Sequence, residues 1–321
     1  MKAIWPALLT GAALVAIIPL CAAADPSPAR APDALPLLFL PEVLAPAGRI
    51  TLTPGFSPDG DTMYFAQTEC TPIWECPQRL KRIERKGDGW SAPERVPLPQ
   101  DARVDYPSVT PDGRYLLFSW SATRPEYAGR DIDVNFDLWR LDLTDPAATP
   151  EPLEGPDLNR IREGAIKKLR FVNNETAPIL TTAGDLYFWS ERLDGMGDRD
   201  VYVARADGRG AFQRPEPLPA PINSAGSDDG AWVSPDGKTM LITYSDRGGC
   251  GGSDLFIAHR TGETWTEPVN LGCTINSSAD EYAATLIPGT HTLVFASTRP
   301  FIDSTEYSVA LWSAELPENA R

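Results

Sequence analysis

The chain has 321 residues, 42% of them hydrophobic and 9% aromatic, enough to bury a sizeable core. Its 44 acidic side chains outnumber 29 basic ones, for a net charge of −15. A surface of that sign repels phosphate backbones, so nucleic acid is excluded as an expected partner, because such binding rests on clustered Lys and Arg releasing counterions.

The N-terminus comes first in chain order. Lys2 precedes an apolar centre from Leu8 to Leu20, and Cys21-Ala22-Ala23-Ala24 follows. A charged start, a short apolar run and Ala-x-Ala form a secretory signal peptide, expected to span 1–24 with cleavage after Ala24. The apolar run is shorter than the roughly 20 residues a bilayer span needs, so no transmembrane segment is expected to survive cleavage. A lipoprotein modified at Cys21 is the alternative, disfavoured because Leu20 stands where a small residue is wanted. Losing Lys2 leaves 28 basic against 44 acidic side chains, a net −16. Residues 25–34 read as a linker, 35–317 as one domain and 318–321 as a tail.

From Ser57 onward the chain repeats itself, which decides the architecture. Ser57-Pro58-Asp59-Gly60, Thr110-Pro111-Asp112-Gly113 and Ser234-Pro235-Asp236-Gly237 each precede a β-branched and aromatic run; Thr181-Thr182-Ala183-Gly184 and Ile287-Pro288-Gly289-Thr290 are degenerate copies. Pro presets φ, Asp bonds back to the backbone and Gly supplies φ above zero, so each copy is a hairpin. A third strand begins at Asp137, Asp200, Asp254 and Ala310. A fourth places an aromatic three residues before a proline, in Trp90/Pro93, Phe212/Pro215 and Trp265/Pro268, which suits an outer edge.

Four antiparallel strands per unit make a propeller blade. The copies start 53, 71, 53 and 53 residues apart, so the prediction is an all-β propeller of five blades with one insertion between about Glu151 and Asn174. A sixth, eroded blade in that insertion is the alternative. Leu158 to Arg170 within it carries five basic residues and reads either as a solvated excursion or as a partner contact. The last copy lacks its fourth strand, which Leu37 to Leu44 is expected to supply, closing the ring and removing an exposed edge.

Four cysteines remain after cleavage: Cys70, Cys76, Cys250 and Cys273. Three connectivities are possible, and the repeat alignment keeps Cys70 with Cys76 in one blade and Cys250 with Cys273 in another. A metal site is the rival reading; the spacing lacks Cys-x-x-Cys pairs, and His259 and His291 are the only histidines. If the first disulfide forms, it pins a loop that presents Trp74 on a rim, a candidate contact for a protein or sugar.

The Ser-Pro-Asp-Gly repeats, joined to Ser245-Asp246-Arg247-Gly248-Gly249 and to Trp265-Thr266-Glu267-Pro268-Val269-Asn270-Leu271-Gly272, resemble the TolB-like, WD40-like propellers of bacterial envelope and secreted proteins. The resemblance runs from about Leu37 to Leu316. It does not extend to TolB itself, whose additional N-terminal α/β domain has no obvious counterpart in these residues. It implies a periplasmic or secreted, non-catalytic propeller, expected to be monomeric, that recognises a protein or cell-wall glycan; it carries over no catalytic motif.

An acid stands at the start of four innermost strands: Asp105, Glu175, Asp228 with Asp229, and Asp280 with Glu281. These are the candidate ligand-binding residues at one mouth of the central channel, or else they cap turns and pair with arginines. No cofactor is expected; Ca²⁺ is the one candidate, from Asp194, Asp198 and Asp200, although the twelve-residue ligand spacing with a terminal Glu is absent. Neither histidine neighbours a Gly-x-Ser-x-Gly elbow. The alternative function is a secreted carbohydrate-active enzyme with two channel-mouth carboxylates about 5–9.5 Å apart.

Overall fold

A computed structural model describes residues 34–45, 50–165, 172–209, 211–301 and 308–321. The expected signal peptide, the alternative lipid site at Cys21 and the end of the basic insertion therefore lie outside the described residues, as does the side chain of Trp74.

Five antiparallel sheets succeed one another along the chain. Blade 1 runs Ile50–Phe56, Thr62–Thr68 and Arg79–Lys86, and blade 2 Val104–Val109, Tyr115–Trp120 and Asp137–Asp142. Blade 3 comprises Glu175–Leu180, Leu186–Ser190 and Asp200–Ala204; blade 4 comprises Asp228–Val233, Thr239–Tyr244 and Asp254–Thr261. In blade 5, Glu281–Leu286, Thr292–Ser297 and Ala310–Glu315 are completed by Leu37–Leu38, with Leu37 opposite Ser313 and Leu38 opposite Trp312. The N-terminal segment thus closes the ring, but with two residues; Pro41–Leu44 turns away as one helical turn. Glu318–Ala320 forms a short 3₁₀ turn that buries Ala320 against the core.

Turn chemistry builds each hairpin as the repeats predict. The Ser57 hydroxyl donates to Asp59, the Asp61 N–H donates to Asp59 at 3.0 Å, and Gly60 takes φ 75°. The outer strands are broken where their prolines remove a donor. Gly89–Trp90 and Glu94–Arg95 flank Pro93, and Thr264–Trp265 and Val269–Asn270 flank Pro268.

Five apolar clusters fill the five seams between successive blades. Trp120 and Trp139 lie in the seam between blades 1 and 2, with rings 4.9 Å apart, whereas Trp232 is half-buried and lines the channel. Cys70–Cys76 and Cys250–Cys273 form, with Cα atoms 5.9 and 5.4 Å apart, each within one blade. No helix among the described residues is long and apolar enough to cross a membrane.

One regular feature escaped the sequence reading. Every innermost strand is bulged, between Thr51/Pro54, Asp105/Ser108, Thr176/Ile179, Asp229/Trp232 and Tyr282/Thr285. Four of the bulges hold a residue in the left-handed region: Tyr106, Ala177, Gly230 and Ala283. A bulge re-aims a side chain. Here the bulged positions, with Thr53 in blade 1, form a ring that lines the channel.

Candidate functional site

The inner-strand acids divide into two sets that the sequence does not separate. Glu175, Asp228 and Glu281 are fully buried at 0% exposure. The Glu175 carboxylate accepts from Arg192 Nη2 at 2.9 Å and from the Arg160 N–H at 3.3 Å. Asp228 accepts from both the N–H and the hydroxyl of Ser224. Glu281 accepts from the Ser277 N–H at 2.7 Å, from the Ser277 and Ser297 hydroxyls, and from Arg299 at 3.0 Å.

These bonds belong to a repeated clamp at the seams. In Leu158-Asn159-Arg160, Ile222-Asn223-Ser224 and Ile275-Asn276-Ser277, the first carbonyl accepts from Arg192, Arg247 or Arg299. The asparagine exchanges two hydrogen bonds with the backbone of the preceding blade's third strand, at Leu138, Val201 or Leu255. The third residue's N–H reaches the acid of the next blade. A buried carboxylate persists because it is hydrogen-bonded in this way. The signal was present in sequence as Asn-Ser-x-x-x-Asp/Glu. The third copy hides it, because the extra residues separate Arg160 from Glu175. Burial pushes Glu175 up to about 7 against the pull of Arg192, and Asp228 up to about 6.

The other set is less deeply buried, and two of its members act on Tyr106, which lines the channel. Asp105 is partly exposed; it accepts from the Thr53 hydroxyl and from its neighbour's N–H, and burial by surrounding atoms raises it to about 6. Asp229 pairs with Arg199 at 2.6 Å, and the same guanidinium reaches Glu191 at 3.0 Å and lies over the Trp189 ring. The Tyr106 ring of blade 2 meets Trp189 of blade 3 edge to face, with centroids 6.3 Å apart. Burial, then the negative charges of Asp229 and Asp105, holds its hydroxyl well above the ordinary phenol range. Asp280 accepts from the Ser253 N–H at 3.0 Å and serves a loop. Of the acids expected at the channel mouth, Asp105 and Asp229 lie around Tyr106, while Glu175, Asp228 and Glu281 hold internal donors in the seams.

Trp74 falls in a one-turn 3₁₀ segment, Ile73–Glu75, beside the Cys70–Cys76 bridge. Asp194 is held by Arg160 at 2.9 Å and Asp200 is buried. Among the described residues no group of three or more His, Cys, Asp and Glu side chains is arranged to hold a metal.

Beyond the bulged ring, toward the Pro-Asp-Gly turns, the channel widens into a cavity of about 600 Å³. Pro58, Pro111, Pro235 and Pro288, one from each of four turns, line it.

Solved structures share this architecture. An alpha-L-arabinofuranosidase from Lactobacillus brevis matches at a TM-score of 0.51 and 12% identity, over 85% of this chain and 93% of that one. TolB from Acinetobacter baumannii matches at 0.49 and 15%, over 83% of this chain and 57% of its own length. A protein assigned as TolB from Agrobacterium tumefaciens matches at 0.47 and 17%, over 84% and 78%. The chain is similar in fold to TolB propellers. The five-bladed β-propeller expected from the repeats is what the sheets form, and at these identities the likeness to the solved structures is one of fold. No family model and no curated protein matches the sequence.

Proposed function

We propose that the chain is an exported, non-catalytic propeller that binds a protein or a cell-envelope glycan. The observation that carries this reading is the fate of the inner-strand acids: Glu175, Asp228 and Glu281 are committed to internal donors in the seams and are closed to a substrate. Two disulfides fit an oxidising compartment, periplasmic or extracellular. Function belongs to sites rather than folds, so the fold shared with an arabinofuranosidase adds no activity by itself.

One observation favours a second reading, the carbohydrate-active enzyme. Asp105 and Asp229 both lie within electrostatic reach of Tyr106 in unlike surroundings, one lifted by burial and the other paired with arginine, which is how acid and base roles are divided. Screening the purified protein against peptidoglycan fragments and polysaccharides, with product analysis, separates the two. Binding without product supports the binding protein. Product that disappears in Asp105→Asn or Asp229→Asn overturns it.

A further inference from the structure

The channel is chemically asymmetric about the bulged ring. On the side where the inner strands begin stand Asp105, Asp229, Glu191 and Arg199. On the side of the turns, the cavity walls are Val109, Ile179, Leu180, Trp232 and Leu286, all partly exposed and drawn from four blades. Among the described residues no Lys or Arg lines this cavity. Its acid, Asp236, belongs to a turn and already accepts from the Ser234 hydroxyl at 2.6 Å and from the Lys238 N–H at 3.1 Å. A protein of net charge −15 thus keeps a largely apolar space at its centre, whose one lining carboxylate is committed to a turn.

Tyr106 marks the boundary between the two sides. It lines the cavity, its ring reaches from blade 2 to Trp189 of blade 3, and its hydroxyl lies within the influence of Asp229 of blade 4. A tyrosine at φ 51° is held in a sparsely populated backbone region, a cost that persists only where the surroundings impose it. The bulge that imposes it turns the residue inward.

We propose that this cavity is a binding site for a compact, uncharged apolar ligand, which enters from the Pro-Asp-Gly face and is stopped at its inner end by Tyr106. The volume lies within the range of small-molecule sites, and apolar walls with few polar groups are their usual lining. The site lies on the opposite side of the bulged ring from Asp105 and Asp229, so it goes beyond the proposed partner binding and does not depend on it. An anionic ligand is rejected because no Lys or Arg among the described residues lines the walls and its desolvation would go uncompensated.

The test uses two probes that share a ring system. N-phenyl-1-naphthylamine is neutral, and 8-anilino-1-naphthalenesulfonate carries a sulfonate. Titrated into the purified protein and followed by fluorescence and calorimetry, the neutral probe is expected to saturate at one per chain and to bind at least about tenfold more tightly than the sulfonate. Ile179→Trp, which fills the cavity, is expected to weaken it by a similar factor, while Glu94→Gln on the exposed outer strand of blade 1 leaves it within about twofold. No saturable binding, equal affinity for the sulfonate, or equal sensitivity to the two substitutions would each overturn the proposal. Because the wild-type comparison of probes needs no variant, misfolding of Ile179→Trp does not rescue it. Glycan or protein binding that persists when the neutral probe fails would remove this site alone.

Discussion

Asn223 is the residue through which one seam is most directly tested. Its side chain is 1% exposed, accepts from the Val201 N–H at 2.8 Å and donates to the Val201 carbonyl at 2.9 Å. Asn223→Ala deletes both bonds at once and leaves the Val201 N–H unpaired between blades 3 and 4, while the Val201 carbonyl keeps the Leu218 N–H at 2.8 Å. An orphaned buried donor costs about 1–3 kcal/mol, so the loss is expected in that range, about 1–3 kcal/mol. Urea unfolding followed by tryptophan fluorescence reads it as a lowered midpoint with an unchanged slope. Asn223→Asp sharpens the test: the carboxylate can still accept from Val201 but cannot donate, and it buries a charge, so its penalty is expected to shrink as pH falls toward 4. Asn135→Ala, in an exposed loop with a single 3.4 Å contact, should stay within about 0.5 kcal/mol. A loss below about 1 kcal/mol for Asn223→Ala would refute the clamp as an energetic element.

Two further predictions concern charge. Asp105 sits near 6 in the folded chain and near 3.9 unfolded, so the folded state holds the extra proton between those values. Stability from this group is then greatest below about 4 and falls as pH rises through 6, the reverse of a salt-bridged carboxylate. Asp105→Asn is expected to stabilise the protein more at pH 8 than at pH 5, by on the order of 1–3 kcal/mol, and equal effects at both pH values in thermal unfolding would contradict the burial argument. Arg192→Met strands Glu175 without its cation and is expected to cost about 3–5 kcal/mol, whereas adding Glu175→Gln recovers part of that loss. A double-mutant cycle that is additive would show that the pair is not coupled.

Much of the fold was legible because its determinants are local and repeated. Pro-Asp-Gly chemistry is complete within four residues, so five hairpins can be counted, and the expected pairing of the Leu37 segment with Ala310–Glu315 follows from matching it to the fourth strand of the other copies. Keeping each cysteine pair within one blade followed from the same period. The site was less legible. Glu175, Asp228 and Glu281 look like Asp105 and Asp229 in sequence, since all stand at the head of an inner strand.

What separates them is a shift of one residue in register together with a bulge. Asp228 pairs opposite Tyr244 and points into the seam, while Asp229, opposite Thr243, turns toward Arg199. In a pleated strand neighbouring side chains take opposite faces, so one position decides between a structural and an exposed carboxylate. The asparagine clamps bond to backbone 21 or 22 residues earlier in the chain. The sequence by itself determined the number of blades, their turns and their order, because each is specified by neighbouring residues. Only the tertiary structure decided which acids are spent and where the apolar cavity lies, because both depend on how five separately legible sheets converge on one axis.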